Sequence, residues 1–132
     1  MPRVVGDVVR DALTHLKIVA ASEDPAPEDM AAGLRALNLM MARWEADGLA
    51  LGWTGATNPA DELTIPAEVE EVVGHHLALR LRARYGLPVD MDVVALAEAG
   101  MAALKADVLS REYARVSYDM LPRTRGGDFF EG

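Results

Sequence analysis

The spacing of apolar residues is the feature that most limits what this chain can fold into. In residues 27–47 they recur every three or four positions, which places Met30, Leu34, Leu37, Met41 and Trp44 on one face of a helix. Three further segments, roughly 6–20, 66–85 and 91–109, repeat this pattern, and connectors containing glycine and proline separate them. We therefore predict an all-α fold, a small four-helix domain in which each helix buries one face. The predicted stripes of the other helices are Val5, Val9, Ala12, Leu13 and Leu16; Val69, Val73, Leu77, Leu81 and Tyr85; and Val94, Ala97, Met101, Leu104 and Val108.

A helix stop with apolar residues on both sides follows the second helix. Gly48 ends the helical pattern, and Leu49, Leu51 and Trp53 come directly after it. Glycine readily adopts the left-handed conformation of a Schellman motif, and the residue after it then folds back onto the last helical turn. We predict this ending at Gly48, with Leu49 packed on the end of the helix. Residues 50–65 then form a loop, in which the stretch ELTI is the candidate for a short strand.

Length, cysteine content and charge exclude several classes of protein. The 132 residues suffice for one domain with its own core, and the absence of cysteine excludes disulfides and thiolate metal sites. The start has no signal-like apolar run and no window reaches about 18 apolar residues, so we expect a soluble, cytoplasmic protein with no membrane partner. The formal charge of −8 opposes binding of nucleic acid, because such binding needs clustered lysine and arginine.

The last segment, SREYARVSYDMLPRTRGGDFFEG, differs from the rest of the chain. Residues 1–109 contain 17 acidic and 9 basic residues, whereas residues 110–132 contain 4 of each, and 4 of the 7 aromatic residues. Its apolar stripe stops near residue 112, and tyrosine and arginine are residue types that anchor interfaces. We divide the chain into a helical domain, 1–110, and an extended C-terminal arm, 111–132, that orders on a partner; the alternative is a tail that folds back over its own domain. The candidate partner-binding residues are Arg111, Tyr113, Arg115, Tyr118, Leu121, Arg123, Arg125, Phe129 and Phe130.

No constellation of residues indicates a catalytic, metal or cofactor site. His75 and His76 diverge by about 100° on a helix and do not chelate one metal; His75 is spaced for a surface pair with Glu71, and His76 for helix packing. The serines lack a nucleophile elbow, and no glycine-rich phosphate loop is present. Glu45 and Asp47 are candidates for a glycosidase-like pair, but two carboxylates at a helix end are more often solvated surface.

Three stretches of the sequence resemble a known family. ALNLMMARWEADGLALGW (residues 36–53) and LTIPAEVEEVVGHHLALRLRARYGLPVD (residues 63–90) are similar to hallmark segments of the head-completion, or portal-adaptor, proteins of tailed bacteriophages. GDVVRDALTHLKIVA resembles the first helix of these proteins, which are also called tail accessory factors or packaged-DNA stabilisation proteins. The resemblance covers about residues 6–110, with the segments in the expected order.

The resemblance implies a structural, non-enzymatic role. Such proteins bind beneath the portal, typically as a ring of twelve, where they extend the DNA channel, retain packaged DNA and dock the tail. The implied partners are the portal protein, neighbouring copies of the chain, tail proteins, and packaged DNA that passes through the lumen without specific binding. The implied location is the head–tail junction of the virion, after synthesis in the host cytoplasm. Residues 111–130 would clamp the portal, and the loop with Leu51 and Trp53 would face a neighbouring subunit or the tail.

Two other functions stay open from the sequence. A small nucleic-acid-binding regulatory protein would use the cluster RLRAR (residues 80–84) and the arm to contact phosphates, against the simpler explanation of a solvated helix face. A wall-degrading hydrolase would use Glu45 and Asp47 as its carboxylate pair.

Overall fold

The computed structural model describes residues 3–20 and 22–119, with side chains as far as residue 115. Its four helices are α1 (Val5–His15), α2 (Pro27–Ala46), α3 (Ala67–Arg82) and α4 (Met91–Asp119). No strand occurs among these residues, and ELTI contributes only an isolated bridge between Glu62 and Val4. The predicted all-α, four-helix fold is confirmed.

Helix α3 lies at the centre of the fold. It packs against the other three helices, and α1 also packs against α2. Helix α4 runs antiparallel to α3, since Val72 approaches Gly100 whereas His76, further along α3, lies 3.0 Å from the carbonyl oxygen of Ala97. A Cβ atom at Gly100 would lie 2.8 Å from Val72, so the absence of a side chain there allows the close approach of α3 and α4.

The apolar stripes of all four helices form one hydrophobic core. The predicted stripe residues are buried or partly buried, except that Val93 replaces Val94 as the first buried residue of α4. Helices α1 and α2 approach closely at Gly33, where an added Cβ atom would overlap Cγ1 of Val9. The largest fully buried side chains are Leu13, Leu37, Met40, Met41 and Leu77.

Helix α2 ends in the predicted Schellman motif. The amide of Leu49 donates to the carbonyl of Trp44 at 2.9 Å, and the amide of Gly48 donates to the carbonyl of Glu45 at 3.0 Å. Gly48 has a φ of +100°, the left-handed conformation that this motif requires. Leu49 is buried, so the apolar residue after the stop closes the helix end as expected.

Helix α1 is shorter than predicted. It ends at His15 rather than near residue 20, because Lys17 adopts a φ of +60° and the amide of Ile18 donates back to the carbonyl of Leu13. This is again a Schellman motif, with lysine at the position where glycine is usual. Because no glycine or proline marks this end in the sequence, the predicted helix was too long.

Backbone carbonyl groups of the loop cap helix α1. The first amides of a helix have no partner within it. Here the amide of Val5 donates to the carbonyl of Asp61 at 2.9 Å. The amide of Gly6 donates in the same way to the carbonyl of Pro59, at 2.8 Å. The loop is thus part of the structural framework of the domain.

Side chains fix the same loop from two directions. The amide group of Asn38 in α2 donates to the carbonyl of Ala56 at 2.7 Å, and its oxygen accepts from the amide of Ala56 at 3.0 Å. Within the loop, a carboxylate oxygen of Asp61 accepts from the amides of Thr57 and Asn58. These contacts position the loop between α2 and the start of α1.

Helix α4 is longer than predicted. It continues to Asp119, so residues 111–119, assigned from the sequence to an extended arm, are helical. The predicted end near residue 109 rested on the end of the apolar stripe, but an ion pair between Arg111 and Asp107 (2.6 Å) and good helix formers support further turns. The rest of the predicted arm, residues 120–132, lies outside the described residues.

Candidate interaction site

Helix α4 leaves the domain after Val108 and forms an exposed extension. All described side chains from 109 to 115 are exposed, including Leu109 at 66% and Tyr113 at 73%. Leu109 and Tyr113 are four residues apart and share one side of the helix, while Arg111 and Arg115 share the other. We refer to residues 109–119 as the α4 extension; its described side chains, 109–115, offer an apolar side and a basic side to other molecules.

The predicted arm residues divide into two groups. Arg111, Tyr113 and Arg115 lie on the α4 extension, and Tyr118 belongs to its helical backbone. The others lie outside the described residues: Leu121, Arg123, Arg125, Phe129 and Phe130.

A hollow of about 330 Å³ lies between the end of α2 and the point where α4 leaves the domain. Gly48 and Ala50 line one side, and Arg111, Glu112 and Arg115 line the other. The C-terminal end of a helix carries partial negative charge, so the two arginines lie near the negative end of α2. The fold thus brings the beginning of the predicted arm next to the beginning of the predicted contact loop.

The two loop residues singled out from the sequence have different environments. Leu51 is buried in the core of its own chain, and Trp53 is half-buried against that core. Leu51 therefore stabilises the domain, and only the exposed part of Trp53 is accessible to another protein. The role of this loop as a subunit-facing or tail-facing surface stays a prediction.

A groove of about 400 Å³ lies between α3 and α4, and we refer to it as the acidic groove. The groove was not predicted from the sequence because its walls come from separate helices. The signals in the sequence that point to it are the acidic start of α3 and Leu96, an apolar residue that lies off the buried stripe of α4. Its apolar floor is formed by Val72, Leu96, Gly100, Ala103 and Leu104, and its polar lining by Glu68, Glu71, His75 and Asp107.

His75 is buried, which the sequence analysis did not predict. Its side chain is 4% exposed and its ring lies against that of His15 of α1, with ring centres 4.7 Å apart and a tilt of 40° between the planes. The predicted surface pair with Glu71 is therefore wrong, because α1 packs across this side of α3. Loss of solvation lowers the pKa of His75, and the neighbouring His15 lowers it further.

His76 has the packing role predicted for it. Its ring lies edge-on against Trp44, with centres 5.3 Å apart, and its Nε2 is 3.0 Å from the carbonyl oxygen of Ala97. Burial lowers the pKa of His76, which favours the neutral ring. Among residues 3–20 and 22–119, no group of three His, Cys, Asp or Glu side chains is arranged to hold a metal ion.

The residues of the alternative functions lie on the surface. Glu45 and Asp47 are exposed, and Asp47 pairs with Arg43 at 3.4 Å. Arg82 of the cluster RLRAR is half-buried and donates to the carbonyl of Leu87 at 3.1 Å, so it closes the end of α3. In the described part of the chain, no helix has the length and apolar character needed to cross a membrane.

The comparison with known proteins agrees with the resemblance noted in the sequence. A family model described as the P22 tail accessory factor matches residues 1–130, which include all four helices and nearly all of the predicted arm. No curated protein matches the chain. The chain belongs to the P22 tail accessory factor family.

Proposed function

We propose that this chain is a structural connector of the head–tail junction that assembles as a ring beneath the portal of a tailed phage. In this role it extends the DNA channel, helps to retain the packaged genome and gives the tail a docking surface. Its family is one of phage tail accessory proteins. The twelve-fold ring, the portal and tail partners and the position at the junction belong to the proposal.

The α4 extension is the observation that carries the proposal. A few helical turns without packing partners are marginal in water, so such an extension gains stability when another protein covers it. Leu109 and Tyr113 offer apolar contact area on one side, and Arg111 and Arg115 offer charged contacts on the other. Tyrosine and arginine are enriched among residues that dominate binding energy. We assign this surface to the portal.

A ring needs two different contact surfaces on each copy, one for each neighbour. The loop surface around Trp53 and the hollow beside the α4 extension are neighbouring features, since Ala50 at the start of the loop lines the hollow. We assign the loop to the contact with a neighbouring subunit or the tail. Many copies of one weak contact then close the ring cooperatively.

The charge of the chain supports passage of DNA rather than binding. Each copy carries a formal charge of −8, so a ring of copies surrounds its lumen with negative potential. Arg82 is already engaged at the end of α3. DNA that moves through such a channel is repelled from its wall.

Light scattering tests the proposal directly. We expect a small species when the chain is measured alone, and a ring on the portal when it is mixed with the portal protein of the same phage. A chain that stays separate from the portal at micromolar concentration would contradict the proposal. Duplex DNA at low salt serves as a second partner, and binding that weakens steeply with salt would favour the regulatory alternative.

Tyr113→Ala tests the assigned surface. Because the ring is 73% exposed, its removal should change the free energy of unfolding by less than about 0.5 kcal/mol. Loss of an interface tyrosine should weaken portal binding about tenfold or more. Leu39→Ala is the matched control, since Leu39 is exposed on α2 and should not affect binding. Equal binding by the two variants would show that the α4 extension is not the portal contact.

A further inference from the structure

The proposed function leaves the acidic groove unused. The groove has an apolar floor, and the carboxylates of Glu68, Glu71 and Asp107 line it without any lysine or arginine. Among the described residues, no ion pair engages Glu68 or Glu71, whereas Asp107 pairs with Arg111 of the same helix at 2.6 Å. An apolar cleft bordered by one sign of charge fits an occupant that combines apolar groups with the opposite charge.

We propose that the acidic groove holds the C-terminal segment of the same chain, residues 120–132, while the protein is free. The segment supplies what the groove lacks, namely Arg125 for the carboxylates and Phe129 for the apolar floor. This goes beyond the proposed function, because it concerns the chain before it meets any partner. A portal would then gain access to this part of the arm by displacing it from the groove.

The length of the segment matches the length of the groove. A helix rises about 1.5 Å per residue, so Asp107 lies about 18 Å and Gly100 about 28 Å back along α4 from Asp119. An extended chain covers about 3.4 Å per residue. If reversal of direction uses about two residues, Arg125 reaches about 14 Å back and Phe129 about 27 Å. Arg125 then lies within reach of Asp107 through its long side chain, and Phe129 lies level with Gly100.

The alternation of an extended chain gives the segment two distinct sides. Residues two apart point the same way, so Arg123, Arg125 and Phe129 share one side, whereas Asp128 and Phe130 point to the other. In the proposed arrangement the side towards the groove is therefore basic and aromatic, and Asp128 is on the side towards solvent. On α4, the small exposed residues 110 and 114 continue the line of the groove towards residue 119 and leave room for the segment.

A single introduced thiol can report on the groove, because the chain has no cysteine. Ala103→Cys places the thiol on the floor, and Ala102→Cys places it on the same helix outside the groove. In the full chain, Arg123→Glu with Arg125→Glu should speed maleimide labelling of Ala103→Cys about tenfold, as expected for a docked state populated about ten to one. Labelling of Ala102→Cys should not change. Equal labelling of Ala103→Cys with and without the charge reversals would overturn the proposal.

The two phenylalanines form a matched pair for the same assay. Phe129→Ser should speed labelling of Ala103→Cys, because its ring covers the floor, whereas Phe130→Ser should leave the rate unchanged. The opposite order, or equal rates, would refute the assigned sides of the segment. Circular dichroism of each variant checks that the helices are intact.

A disulfide identifies whose segment fills the groove. The proposed arrangement puts Gly127 on the groove side of the segment near the level of Ala103, so the double variant Ala103→Cys with Gly127→Cys should form a disulfide within one chain on oxidation. A non-reducing gel separates this product from a disulfide between two chains. A disulfide between chains, or none, would overturn the proposal. Both assays use the chain alone, so their outcome is independent of whether it binds a portal.

Discussion

The close approach of α1 and α2 at Gly33 gives a prediction whose size can be worked out. Gly33→Ala adds one methyl group, which would overlap Cγ1 of Val9 while Cβ and Cγ2 of Val9 stay at 3.5 and 3.6 Å. Val9 is fully buried, and a valine in a helix has one strongly preferred rotamer, so it cannot turn away at low cost. The two helices must therefore move apart.

Two effects of opposite sign determine the size of the change. Alanine favours a helix over glycine by about 1 kcal/mol. Overpacking a core costs about 1–3 kcal/mol, and overlap with a rigid, buried side chain places Gly33→Ala at the upper end. We expect Gly33→Ala to lower the free energy of unfolding by about 2 kcal/mol. Gly74→Ala is the matched control, since its added Cβ would meet no atom within 4 Å apart from its chain neighbours and the nearby backbone of its own helix, and it should gain about 1 kcal/mol.

Urea unfolding followed by circular dichroism measures both variants. A difference of about 3 kcal/mol corresponds to roughly 12 °C in Tm for a domain of this size. Val9→Ala opens the space that the new methyl group needs. The double variant with Gly33→Ala should therefore lose less free energy of unfolding than the two single variants lose together, by about 1 kcal/mol or more. If Gly33→Ala is as stable as Gly74→Ala, the packing of α1 on α2 described above is wrong.

Further predictions concern the buried histidine, the helix ends and the loop. Burial lowers the pKa of His75, so the unfolded chain takes up a proton more readily than the folded one; stability should be complete above about pH 6.5 and fall as the pH drops below it. Urea unfolding measures how much free energy of unfolding is lost between about pH 7.5 and about pH 5.5, and this loss should be smaller for His75→Gln than for the parent chain. An equal loss in both would assign the effect to other groups. Gly48→Ala should cost about 1 kcal/mol in thermal unfolding because of its φ of +100°, whereas Lys17→Gly, at +60°, should not be destabilising; the reverse order would contradict the two helix endings. Asn38→Ala removes both hydrogen bonds to Ala56 and should cost about 2 kcal/mol, with a red shift of tryptophan emission as the loop loosens; unchanged stability would show that the core alone holds the loop.

The helices could be predicted because their signals are local. A stripe of period 3.6 and a glycine at a helix end lie within one segment, and the ending at Gly48 followed from both. The errors fall where neither signal operates. Lys17 takes the left-handed conformation without being glycine, and α4 continues past its stripe on helix propensity and the ion pair between Arg111 and Asp107.

The candidate site was less predictable because it depends on how distant segments meet. Composition singled out Tyr113 and its neighbours as candidate contact residues, since aromatic and arginine content is visible in a short window. The burial of Leu51 and the hollow between Ala50 and Arg111 depend on how the loop and α4 lie against the end of α2. The burial of His75 likewise depends on α1, and no pattern around residue 75 encodes that contact.

The backbone capping of α1 has a consequence for how this protein can change over generations. The carbonyl groups at residues 59 and 61 accept hydrogen bonds from Val5 and Gly6, and neither bond involves a side chain. Exposed loop positions such as Thr54 and Ala60 can therefore vary while α1 keeps its support. Substitutions at these exposed positions should therefore leave the stability of α1 unchanged, as long as the loop keeps its length and path. Under the proposed role of the loop as a contact surface, a phage lineage could change its specificity by single substitutions without first acquiring a compensating stabilising substitution elsewhere.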